Sequence, residues 1–316
     1  MYNKSMAAPK LVNPFELYRE FFDNFTSIHT RSSYQSDLTK FIDWLAINAK
    51  DVKGFDDLER KHVIAYRNFL SDAPSSLAPK TVARKLACIS SYCDFLVEKG
   101  VCHFNPASSV KRPRLEVVSP TQALDAGQVR ELFSAIDMNS KSGPMHMALL
   151  ITFFTTGLRK SEVLNLRYKD YREINDSKVF EFKGKGGKIG QKLIHPLCIE
   201  ALEHYLSWMR SQNRELSPND PIFQPTRNPS DPSKLNKPLN PRTVNEIVDF
   251  YAKKIGLNFK ISPHSARATF IGELLDHGVD IYTVAREVSH SSVKTTQEYD
   301  KRRKKLQDSP VFKLKF

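Results

Sequence analysis

Apolar residues recur at steps of three and four through most of the first hundred positions, the spacing of one face of an α-helix. Phe15, Tyr18, Phe22 and Phe25, with Leu17 and Phe21 beside them, predict a first helix. Tyr34, Leu38, Phe41, Ile42 and Leu45 predict a second, with Thr30 as a candidate N-cap. A third is predicted over 58–70. A fourth starts near Pro79-Lys80 and carries Val82, Leu86, Ile89, Tyr92, Phe95 and Leu96. It stops at Lys99-Gly100, where a glycine suits the left-handed position past a helix end. Together they predict a four-helix lobe.

The pattern then breaks. Asn105-Pro106, Lys111-Arg112-Pro113-Arg114 and Ser119-Pro120 follow within a short span. Proline blocks helix and pushes the residue before it towards extended backbone, so this stretch reads as a linker between lobes. Its three cations also suit a path along a phosphate backbone. Beyond it, helices are predicted over about 125–137, 144–156, 198–212, 241–254, 265–276 and 280–288. Residues 178–182 and 192–194 read as strands flanking Lys183-Gly184-Lys185-Gly186-Gly187-Lys188, a glycine-rich hairpin turn. Residues 214–240, rich in Pro, Asn, Asp and Ser, read as a long loop. The predicted fold class is mainly α with a small antiparallel β-sheet. The predicted division is a helical domain over 12–108, a linker over 109–120 and a second domain over 121–316.

Composition narrows the function. The 316 residues are 40% apolar and 10% aromatic, enough for a real core and too apolar for a disordered chain. The net charge is +13, spread as +5 over residues 1–115 and +8 over the rest. Such an excess suits a polyanion, nucleic acid before an anionic membrane, and its spread suits two lobes that both touch it. The best apolar run, 145–158, is too short to span a bilayer, and the N-terminus lacks a signal-peptide pattern. Cys88, Cys93, Cys102 and Cys198 form no CxxC pair and have no His at zinc spacing. Reduced core thiols in a cytoplasmic protein are the simplest reading.

Three segments carry candidate chemistry. In Thr156-Gly157-Leu158-Arg159-Lys160-Ser161-Glu162 an apolar run ends in a glycine turn, and Arg159 and Glu162 open the next helix. Arg159 has a fork that fits two phosphate oxygens, and Glu162 is placed to orient it; a plain capping salt bridge fits as well. In Pro263-His264-Ser265-Ala266-Arg267, His264 and Arg267 are three apart on a helix that Pro263 can start. Both can donate to one anion, or form a surface pair. In the third, Ser289-His290 is followed nine residues later by Tyr299. A Tyr hydroxyl is a weak nucleophile unless cations stabilise its phenolate; alone it reads as an ordinary residue on a short helix. No acidic cluster at Mg²⁺ spacing, P-loop or GxGxxG motif is present. What remains, cations and one Tyr, is equipment for transesterifying a phosphodiester without metal or cofactor.

Arg159, Lys185, His264-x-x-Arg267, His290 and Tyr299, in this order and spacing, resemble the tyrosine recombinases, the phage integrases and chromosome-dimer resolvases. The likeness covers nearly the whole chain. It implies a helical, SAM-like core-binding domain followed by a mixed α/β catalytic domain, the two clamping DNA. It implies that Arg159 and Arg267 hold the scissile phosphate and that Lys185 protonates the leaving 5′ oxygen. The Gly-Lys-Gly context favours Lys185 over Lys183 and Lys188. His264 and His290 would assist by hydrogen bonding and proton transfer, and Tyr299 would form a 3′-phosphotyrosyl link. The implied partners are double-stranded recombination sites and a tetramer that exchanges strands through a Holliday junction. The tetramer is of one chain or of two related ones, with accessory DNA-bending proteins possible. Integration, excision and resolution of mobile or plasmid DNA all fit, and no cofactor or metal is implied. Lys80, Arg84, Lys111, Arg112, Arg114, Lys183, Lys188 and Arg242 are the candidate DNA contacts.

The chain departs from the family pattern in places. Ser289 stands where a Gly is usual before the second His, and the His264 to Arg267 motif lacks the common Leu before its Arg and the His after it. Only about a dozen residues precede the first helix, which leaves no room for an arm-binding domain. After Tyr299 come the basic run 301–305 and the alternating segment 311–316, a strand pattern suited to a sheet edge in its own or a neighbouring subunit. Two alternatives remain: a type IB-like topoisomerase, which shares the chemistry, and a DNA-binding protein of the same fold without catalysis.

Overall fold

The computed structural model of the chain describes residues 15–72, 76–114, 121–184, 187–227 and 231–300. The chain divides into two compact units, Met1–Glu116 and Val117–Phe316.

Among its described residues the first unit has four α-helices: α1 (Arg19–Asp23), α2 (Ile28–Asn48), α3 (Arg60–Ser71) and α4 (Pro79–Glu98). The predicted first helix is cut to five residues. Phe21 and Phe22 are buried from α1, while Phe15, Leu17, Tyr18 and Phe25 pack onto the same core from either side of it. The α2 cap is Ser27, not Thr30; its hydroxyl accepts from the Thr30 N–H at 3.3 Å. Pro79 opens α4 where its missing N–H costs nothing, and Gly100, at φ +70°, follows its end. Leu38, Phe41 and Leu45 of α2 meet Val63 and Tyr66 of α3 and Leu86, Ile89 and Leu96 of α4. Each such side chain contributes about 1.5–3 kcal/mol relative to exposure. Burial pushes the thiols of Cys88 and Cys93 up to about 12, so both stay protonated core residues.

The second unit runs α5 (Ala126–Ser134), α6 (Gly143–Thr156), α7 (Lys160–Asn165), β1 (Tyr171–Ile174), β2 (Ser177–Lys183), β3 (Ile189–Leu193), α8 (Pro196–Ser211), α9 (Pro241–Lys254), α10 (Pro263–Asp276), α11 (Ile281–Glu287) and α12 (Val293–Gln297). Apolar on nearly every side, α6 is the central helix and packs against α8 and α10. The strands form one antiparallel sheet in the order β1-β2-β3. The sequence pattern missed β1, because only Tyr171 of its residues is partly covered. Asn175 and Asp176, both at positive φ, make the tight turn into β2. Described parts of the predicted loop over 214–240 are packed. Ile222 and Phe223 are buried in the core, and Arg214 donates to the carbonyls of Pro225 and Leu235. Among the described residues no helix is long and apolar enough to cross a membrane.

Candidate functional site

Two helix ends build the site. The first is the end of α6. Gly157 sits there at φ +62°, a position that favours glycine, and a Cβ on it would lie 2.4 Å from the Phe270 ring. The chain turns and Arg159 becomes the N-cap of α7. Its backbone N–H donates to Glu162 Oε2 at 2.7 Å and its guanidinium Nη1 to Glu162 Oε1 at 2.9 Å. Glu162, 5% exposed, thus fixes both the backbone and the side chain of Arg159.

The second is the end of α11. His290 N–H reaches back to the Ala285 carbonyl and Ser289 N–H to that of Arg286. This paired closure puts the residue after the helix in the left-handed region, and Ser289 occupies it at φ +52°. A Gly would sit there without a Cβ penalty, which is the physical meaning of the Gly-to-Ser departure. The turn aims two carbonyls inward. Arg267, 2% exposed on α10, donates one Nη to Val288 O and the other to Gly157 O. Arg159 Nη2 reaches Ser289 O at 3.4 Å. One arginine therefore spans both helix ends and the other leans on the same turn. Burial, and then the nearby charge of Arg159, lower Arg267 to about 10, so it remains a cation at neutral pH.

His264, exposed at the start of α10, shares a 2.9 Å hydrogen bond through Nε2 with the Tyr299 hydroxyl. The Tyr299 ring stacks on that of His290, centroids 6.2 Å apart. His290 Nδ1 in turn shares a 2.9 Å bond with the buried Thr296 hydroxyl of α12. Burial, followed by the charges of Arg267 and Arg159, lowers His290 to about 4, so it is neutral at pH 7. His264 turns to Tyr299, while Arg267 runs inward to the two carbonyls.

Lys185 and Gly186 lie outside the described residues, as do 301–305 and 311–316. The base of the hairpin is described. Gly184 N–H donates to Lys188 O at 2.8 Å, and a Cβ on Gly184 would lie 3.9 Å from Glu162 Oε1. The hairpin thus springs from beside the Arg159–Glu162 pair. Lys183 and Lys188 are exposed at its two sides.

Lys80 is exposed on the first turn of α4, and Lys111, Arg112 and Arg114 are exposed beyond that helix. Arg84, 43% exposed, is engaged by the buried Asp37 carboxylate, which also takes Lys85 at 2.7 Å. Arg242 is exposed and pairs with Glu246 at 2.9 Å. Sequence reasoning marked Gly157 as the turn before Arg159 but missed its carbonyl as an acceptor for Arg267, and missed Thr296 and Lys192, a buried lysine on β3, as parts of the site. Only Gly157 left a signal, as a glycine closing an apolar helix. Among the described residues no group of three His, Cys, Asp or Glu could hold a metal ion.

Comparison with known proteins adds three findings. Residues 122–305 match the phage integrase family, and residues 21–100 match the phage integrase N-terminal SAM-like domain. Over 288 residues the chain is 28% identical to the tyrosine recombinase XerC of Pelobacter propionicus, covering 91% of this chain and 89% of the relative. The XerC of Myxococcus xanthus is 30% identical over 279 residues, 87% of each. In fold, the chain is similar to the XerH site-specific recombinase bound to palindromic difH substrate in a post-cleavage complex. There the TM-score is 0.72 at 17% identity, over 91% of this chain and 81% of that one. It is also similar to a lambda integrase dimer bound to a COC′ core site, with a TM-score of 0.66 at 15% identity over 90% and 78%.

Proposed function

The chain belongs to the phage integrase family and is a tyrosine-type site-specific recombinase; from that premise we propose that Tyr299 is its nucleophile and that it breaks and rejoins DNA through a 3′-phosphotyrosyl link. The observation that carries this reading is the Tyr299 hydroxyl, 2.9 Å from His264 Nε2 and stacked on His290, beside two arginines fixed by backbone carbonyls.

The chemistry balances without cofactor. The Tyr299 oxygen bonds to phosphorus as the P–O5′ bond breaks, and its proton passes to His264. Lys185, on the hairpin, supplies the proton to the leaving 5′ oxygen. Arg159 and Arg267 stabilise the charge that builds on the non-bridging oxygens, in a site where fixed donors need no reorganisation. His290, neutral by its surroundings, serves as a hydrogen-bond donor to the same phosphate rather than as a standing cation. The link conserves the energy of the phosphodiester, and the free 5′ hydroxyl of a partner strand reverses the step and seals the exchange. Two DNA sites held in a tetramer, with a Holliday junction between the paired exchanges, complete the reading. Residues 12–108 form the core-binding domain, 109–120 the linker and 121–316 the catalytic domain. Lys80, Arg84, Lys111, Arg112, Arg114, Lys183, Lys188 and Arg242 supply backbone contacts.

The test is exchange itself. Chromosomal DNA retained by the protein is sequenced, and two copies of the recovered site are placed on one plasmid. Recombined circles support the reading. Relaxation or nicking without exchange would point to a topoisomerase, and binding without cleavage to a protein that only binds.

A further inference from the structure

Buried lysines are uncommon, because an ammonium withdrawn from water needs strong compensation. Lys192 is 3% exposed on β3, opposite Phe180, while its strand neighbours Gln191 and Leu193 are exposed. Its ammonium lies 5.5 Å from the Phe270 ring centroid and donates to the backbone carbonyl of Glu287 and, at 2.7 Å, to Glu287 Oε1. The carboxylate alone does not account for the burial. The Glu287 side chain is about half exposed, and a surface lysine would serve it as well. What the buried position adds is the carbonyl. It belongs to the last residue of α11, where the helix dipole favours a cation.

That carbonyl immediately precedes those of Val288 and Ser289, which hold Arg267 and Arg159, and His290 comes next. The same ammonium faces Phe270, the ring that abuts Gly157, whose own carbonyl takes the other nitrogen of Arg267. We propose that Lys192 is a positioning residue: it ties the sheet that bears the catalytic hairpin to the α11 turn, and so fixes the carbonyl acceptors that aim both arginines. Burial, partly offset by Glu287, lowers the Lys192 pKa, and the charge of Arg267 lowers it further, as expected for an ammonium within electrostatic reach of the arginine it helps to place. The catalytic consequence rests on the recombinase reading; the arrangement itself belongs to the free protein.

Lys192→Met keeps the stem and removes the donor. In single-turnover cleavage of a nicked site, its rate constant is expected to fall tenfold or more, with DNA affinity changed less than twofold. Lys192→Gln, which can still donate to the carbonyl, is expected between Met and wild type, and carries the test if the Met variant fails to fold. A second readout needs no cleavage. His290 is faced by Arg267, Arg159, His264, Tyr299 and Thr296, and its ring titration, followed by NMR, is expected to move up from about 4 as the turn loosens and water enters. A variant that melts lower but keeps the wild-type rate constant and His290 titration would overturn the proposal and leave a plain strut. A wild type that never cleaves, with a His290 shift in the variant, would refute the recombinase reading and leave the positioning role standing.

Discussion

Gly157→Ala tests the hinge on which the site turns. Two costs add. Gly157 lies at φ +62°, where an L side chain costs about 1–2 kcal/mol. The new Cβ would meet the Phe270 Cδ1 at 2.4 Å, far inside contact distance, and overpacking of this kind costs about 1–3 kcal/mol. The expected loss is therefore about 2–5 kcal/mol, a large share of a domain's usual 5–15. The chain has two tryptophans, Trp44 in the first unit and Trp208 in the second. In a Trp44→Phe background, Trp208 fluorescence reports urea unfolding of the second unit alone. The indole N–H of Trp44 is buried without a hydrogen-bond partner, so Phe leaves no acceptor unpaired there. Phe270→Leu gives the control. Added to Gly157→Ala it relieves the clash and leaves the backbone cost, so the double variant should be less destabilised than the sum of the singles. Cleavage should suffer more than stability, because the Gly157 carbonyl orients Arg267. A Gly157→Ala protein within about 0.5 kcal/mol of its parent would refute the reasoning, since that is the scale of an ordinary surface change.

Three further outcomes follow from the same geometry. Ser289→Gly removes a Cβ from the left-handed position after α11, and should stabilise the second unit by about 0.5–1 kcal/mol net of added chain entropy, read by Trp208 in urea. His290 is held to about 4 in the fold against an ordinary value near 6.5, so the unfolded chain binds more protons between them. Its contribution to stability is whole above about pH 6.5 and is lost as pH falls towards 4, about 1–3 kcal/mol in all, a limb that His290→Gln should flatten in a pH series of urea midpoints. Asp37→Ala strands the buried Lys85 ammonium and should destabilise the first unit by about 3–5 kcal/mol, read by Trp44 in urea.

Much of this was legible in the sequence where one local rule decided. The all-apolar run of α6, the proline starts of α4 and α10 and the glycine closing α4 each follow from helix physics alone. The order of Arg159, the hairpin, His264, Arg267, His290 and Tyr299 is itself legible in the chain. What stayed hidden depended on contacts distant in sequence. β1 exposes most of its side chains, so no alternation marks it; its partner strand defines it. Lys192 sits among exposed strand neighbours, and only the arrival of α11, almost a hundred residues later, makes its burial tolerable. Ser27 and Thr30 are equally good caps on paper, and backbone geometry chose Ser27. The pairing of Arg267 with two carbonyls reflects two helix ends converging across the second unit.

The central claim is that Tyr299 carries the DNA. The most direct measurement digests the protein after incubation with a nicked recombination site and identifies by mass spectrometry the peptide left on the 3′ phosphate. The account predicts that the nucleotide is borne by Tyr299 and that the adduct vanishes in Tyr299→Phe. An adduct on any other residue, or one that survives Tyr299→Phe, would contradict it.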